Sequence, residues 1–73
     1  MKDFSGVLKE LREEKKLSYQ EIGDIIGIGE RSIRYYESGE RRPDFAGLLA
    51  LADYFDVSLD YLVGRSDKRE INR

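Results

Sequence analysis

Apolar positions recur along this chain at helical spacing, in runs separated by capping and turn residues. Phe4, Val7, Leu8 and Leu11 fall at i, i+3, i+4 and i+7 and predict a helix over 4–15, capped by Asp3 or Ser5. Ser18 and Glu21 have the spacing of a capping box, and Leu17 with Ile22 that of a hydrophobic staple, so a second helix starts there. Ile22, Ile25 and Ile26 give it one apolar face, and Gly27 turns the chain sharply, with Ile28 as an apolar plug in the turn. Gly29, a second-rank cap, opens a third helix from about Glu30 to Ser38. Ile33 and Tyr36 share its inner face, which leaves Glu30, Arg31, Arg34 and Tyr35 pointing outward. Gly39 stops it and Pro43 bars continuation.

Asp44 caps a fourth helix, with Phe45, Leu48, Leu49, Ala52 and Phe55 assigned to one face. Ser58 caps a short fifth helix, stapled by Val57 and Leu62 and ended by Gly64. The expected fold is therefore all-α, a compact bundle of five helices in one domain over 1–64. A charged tail follows over 65–73, with Ile71 its single apolar residue, and is expected to be loose.

Composition narrows the chemistry. The 73 residues contain no cysteine and no histidine, so thiolate or imidazole metal sites, disulfides and the commonest general base are absent. No phosphate-cradling glycine loop or catalytic constellation is recognisable, so neither enzyme activity nor a cofactor or metal is expected. No apolar run approaches the ~20 residues of a membrane span and no secretory leader is recognisable, so a cytoplasmic protein with no membrane partner is expected. The net charge is −2, unevenly spread: Asp44, Asp53, Asp56 and Asp60 are the only charges of 44–64, whereas Arg31, Arg34, Arg41 and Arg42 cluster on and after the third helix. A weakly basic face of this kind implies modest non-specific affinity for nucleic acid and a shallow salt dependence.

The two helices over 18–38, with the small Gly23 in the first, Gly27 at the turn, and Ile33 and Tyr36 inside the second, resemble the helix-turn-helix of the Cro and lambda-repressor-like regulators of bacteria and phages. Tyr36-Glu37-Ser38-Gly39, followed by Arg41, Arg42 and Pro43, is similar to the segment that follows that family's recognition helix, and residues 55–64 are similar to its closing helix. The resemblance implies a transcriptional regulator, a repressor at a short palindromic operator, that binds double-stranded DNA as a homodimer through the region after Ser58. It also implies an ion pair between Arg12 and Glu37. Three positions depart from the pattern: Tyr19 stands where glutamine is usual, Gly23 replaces alanine, and Gly29 replaces a common serine.

On the outward face, Arg31 offers a planar fork that matches guanine O6 and N7, and Arg34 can do the same or hold a phosphate. Tyr35 can pack on a thymine methyl, and Glu30 can accept from cytosine N4 or reject other sequences. Ser18, Tyr19, Ser32 and Ser38 can donate to phosphates, and Arg41 and Arg42 add charge to the same backbone. Ser32-Ile33-Arg34-Tyr35-Tyr36-Glu37 also looks like the reading helix of MerR-type activators, but the surrounding helices do not follow that pattern. The rival reading is a protein-interaction module, with the acidic 44–64 segment facing a basic partner such as a toxin or an antirepressor.

Overall fold

The computed structural model describes residues 3–70, and Ile71 with the rest of 71–73 lies outside the described residues. Five helices follow one another: α1 Phe4–Glu14, α2 Tyr19–Ile26, α3 Glu30–Ser38, α4 Phe45–Phe55 and α5 Leu59–Leu62. Each contributes one fully buried aliphatic side chain to a common centre, namely Leu8, Ile22, Ile33, Leu51 and Leu62. Phe4, Val7, Leu11, Tyr36, Ala52, Phe55 and Val57 close the core around them, with the Phe4 and Tyr36 rings edge to face at 6.3 Å. Among the described residues no helix is long and apolar enough to cross a membrane.

The helix starts follow local chemistry. Asp3, not Ser5, caps α1 by accepting from the Gly6 amide. Ser5 instead donates to the Tyr36 carbonyl at 2.6 Å, which ties α1 to α3. The capping box at Ser18 and Glu21 is complete in both directions. Asp44 caps α4 and Ser58 caps α5, each accepting from the amide three residues on.

The helix ends share one device. After each helix, a residue with positive φ lets the next amide reach back to the carbonyl five residues earlier: Leu17 to Arg12, Ile28 to Gly23, Glu40 to Tyr35, Val57 to Ala52 and Arg65 to Asp60. Three of those left-handed positions are glycines, and the other two are Lys16 and Asp56, both at φ 55°.

Two predicted faces need correction. Phe45 is 65% exposed and Leu49 41%, while Gly47, Leu51, Ala52 and Phe55 are the buried residues of α4. Apolar residues lie on most sides of this helix, and its one charge, the exposed Asp53 four residues after Leu49, marks the outer side. Gly47 lies on the inner side, where a Cβ would stand 3.0 Å from the Pro43 side chain. On α2, Ile25 is 43% exposed and only Ile22 of the three isoleucines is buried.

The described part of the tail turns back on the domain. The Ser58 amide donates to the Arg69 carbonyl at 2.7 Å and the Ser58 hydroxyl to the Lys68 carbonyl at 3.1 Å. The Arg69 guanidinium bonds both oxygens of Glu14, approaches Glu10 at 3.5 Å, and bonds the Tyr61 hydroxyl while lying 5.2 Å from that ring's centre. These contacts join the end of the described chain to α1 and α5.

Two stability outcomes are expected. A lysine in the left-handed region costs about 1–2 kcal/mol, and glycine loses about 0.5–1 kcal/mol through unfolded-state entropy. Lys16→Gly should therefore raise the thermal midpoint by roughly 2–6 °C, measured by circular dichroism. Burial pushes the Tyr36 phenol above the usual tyrosine value of 10.0. The unfolded chain then releases this proton first as pH rises, so the neutral buried phenol loses its advantage from about pH 10 upward. Tyr36→Phe should flatten the fall of the midpoint above that pH, and identical alkaline profiles would show that Tyr36 does not contribute.

Candidate nucleic-acid interface

The pair α2–α3 is set by a glycine. A Cβ at Gly23 would overlap the Ile28 carbonyl oxygen and stand 3.3 Å from the Glu30 amide nitrogen. The bare backbone lets the first turn of α3 lie directly against α2, with the left-handed Gly27 between them. Gly29 begins α3 without any side-chain cap bond. Inward, Ile33 and Tyr36 are buried, and outward, Glu30, Arg31 and Arg34 are exposed.

Behind this face lies an ion pair. Arg12 Nε donates to Glu37 Oε2 at 2.6 Å, a second nitrogen reaches Oε1 at 3.2 Å, and a third bond goes to the Leu17 carbonyl at 3.0 Å. The two side chains are only 15% and 6% exposed. The bond to Glu37 raises the Arg12 pKa above its ordinary value despite the opposing cost of burial. With Glu37 neutralised in this way, four arginines on α3 and the segment after it (Arg31, Arg34, Arg41 and Arg42) outnumber the remaining carboxylates there, Glu30 and Glu40. The cations thus gather on α3 and the segment after it, while α2 beside them carries Glu21 and Asp24.

The residues expected to hold phosphate have unequal freedom. Arg41 and Arg42 are exposed, and Arg41 lies 4.9 Å over the half-buried Tyr35 ring. Ser18 uses its oxygen as a cap acceptor and keeps its hydroxyl hydrogen available. Ser32 is half-buried. Ser38 spends its hydrogen on the Tyr35 carbonyl at 3.0 Å. Tyr19 is half-buried with the guanidinium groups of Arg12 and Arg34 at 4.5 and 5.0 Å from its ring centre, an arrangement absent from the sequence reading. The excess of arginine and tyrosine in 12–41 is its only signal in the sequence.

The sequence profile of the helix-turn-helix family matches residues 8–62. The chain belongs to this family. It is 42% identical over 67 residues to YqaE of Bacillus subtilis strain 168, named an uncharacterised HTH-type transcriptional regulator, covering 90% of this chain and 58% of that protein. It is 43% identical over 63 residues to AnsR, an HTH-type transcriptional regulator of the same strain, covering 86% of this chain and 54% of that one. The chain thus spans little more than half the length of these relatives. The fold is that of the P22 c2 repressor bound to a synthetic operator, with a TM-score of 0.84 over 90% of this chain and 100% of that chain at 24% identity. Five helices with the helix-turn-helix at α2 and α3 give this chain the same fold as that repressor domain.

In an open helix, alanine at a glycine position gains about 1 kcal/mol. At Gly23 the added methyl meets backbone, which cannot rotate away. Gly23→Ala is expected to lower unfolding free energy by about 1–3 kcal/mol in a urea titration, the opposite of the propensity effect. An increase would show that the turn yields without cost.

Proposed function

We propose that this helix-turn-helix chain is the DNA-reading part of a cytoplasmic transcriptional regulator, a repressor that meets a short palindromic operator as a homodimer. The observation that carries this reading is the outer face of α3, where Arg31 and Arg34 are exposed and no described ion pair engages them, while Ile33 and Tyr36 fasten the same helix from within. The names of the relatives and the operator bound by the similar P22 domain support it.

In this reading α3 enters the major groove. Arg31 and Arg34 fork to guanine, Tyr35 packs on a thymine methyl, and Glu30 selects cytosine or rejects other bases. Ser18, Ser32, Arg41 and Arg42 hold the phosphates. Ser38 contributes less to the backbone, because its hydroxyl hydrogen is already engaged. Two copies joined through the region after Ser58 present their reading helices one turn apart, ~34 Å. Leu59 and the exposed Leu49, which border one open groove of about 290 Å³, supply apolar surface for that contact.

Asp53 and Asp60 on the same groove favour a second reading, a module that binds a basic protein such as a toxin or an antirepressor. Selection of sites from random duplexes, followed by a salt titration on the best site, separates the two. A DNA reader loses affinity linearly in log K against log salt, and Arg31→Ala and Arg34→Ala each cost about 1–3 kcal/mol on the selected site. No duplex affinity at low salt, with the domain folded, would leave only the interaction module.

A further inference from the structure

The ring of Tyr19, at the first position of α2, bridges two helices. Arg12 reaches it from α1 and Arg34 from α3, both within the ~6 Å at which a guanidinium is attracted to a π face. Two bare cations on one ring would repel each other. Here the Arg12 charge is balanced by Glu37, so Arg34 meets the ring beside a neutralised pair. The Arg34 Cζ atom stands over the Tyr19 ring, 5.0 Å from its centre. A guanidinium held by one face keeps its in-plane N–H donors free to form a two-pronged bond with a base edge.

We propose that Tyr19 is a positioning residue for the reading helix: its ring holds the Arg34 guanidinium edge-outward before DNA arrives and thereby sets selectivity at one base pair. This rests on the base-reading role proposed above for Arg34. A free arginine surrenders its rotamer freedom when it docks, whereas a stacked one has surrendered it on folding. The ring, not the hydroxyl, is the working part, which separates this role from that of a phosphate donor.

The test uses Tyr19→Phe, Tyr19→Leu and Arg34→Ala, alone and with Tyr19→Leu added to Arg34→Ala. Each is titrated against the selected duplex and against the same duplex changed at the base pair where Arg34→Ala loses discrimination. Tyr19→Leu is expected to cut affinity for the selected duplex about fivefold and to leave affinity for the changed duplex unaltered, and Tyr19→Phe to stay within about twofold of the parent. On the Arg34→Ala background Tyr19→Leu should change nothing further. Full selectivity in Tyr19→Leu, equal losses in the Phe and Leu variants, or a loss that persists without Arg34 would each overturn the proposal. If the parent chain shows no selective duplex binding, the DNA-reading role fails on its own account. The stack is then read from proton NMR of the free protein, where the ring should shift the Arg34 side-chain protons upfield in the parent and in Tyr19→Phe but not in Tyr19→Leu. Unshifted protons in the parent overturn the platform itself.

Discussion

The direction of every outward side chain on α3 depends on one close approach, between the backbone of α2 at Gly23 and the turn that follows it. Glycine in a helix interior costs about 1 kcal/mol of propensity. It is offset by what the approach allows, the full burial of Ile22 and Ile33 against each other's helices, each worth about 1.5–3 kcal/mol. The Ile28 amide bonds the Gly23 carbonyl at 2.7 Å, so the residue that lacks a side chain also anchors the end of its own helix. A Cβ at this point would meet the Ile28 carbonyl oxygen, so a side chain here requires the turn between α2 and α3 to shift.

Electrostatics then fixes what packing has placed. Burying Arg12 and Glu37 costs desolvation that their attraction only partly returns, so the pair contributes little net stability and much geometry. It fastens α1 to the last turn of α3, where the Ser5 bond to the Tyr36 carbonyl acts in the same sense. It also removes a carboxylate from the arginine-rich side. An acidic chain can in this way gather its arginines on one helix and the segment after it, since the four aspartates of 44–64 lie on other elements and one of the glutamates on α3 is neutralised from behind.

What could be read from the sequence was local. The boxes and caps at Ser18, Asp44 and Ser58, the stop at Gly27 and the inward pair Ile33 and Tyr36 depend on residues within four positions of one another, and periodicity and capping rules report such spacings. The face of α4 is hard to read, because Ala46, Leu48, Leu49, Ala50, Leu51 and Ala52 are all apolar and Asp53 is the one charge that marks the outside. Leu51 is fully buried, whereas Phe45 and Leu49, which the spacing assigns to the inner face, are exposed. The contact of Arg69 with Glu14 joins residues 55 positions apart, and nothing in a charged tail announces which of its cations will find a partner.

The candidate site divides along the same line. That Arg31 and Arg34 face outward follows from the period of α3 alone. How Arg34 is held does not, because the Tyr19 ring comes from another helix, and its reach across the gap depends on how closely Gly23 lets α2 and α3 approach. Helical period selects which residues are available to a ligand, whereas the packing between helices selects the attitude in which they are offered. Discrimination between base pairs requires the second, since a two-pronged bond tolerates little misplacement of its fork. Under the base-reading role proposed for Arg34, selectivity therefore depends on a residue with no side chain as well as on the arginine itself.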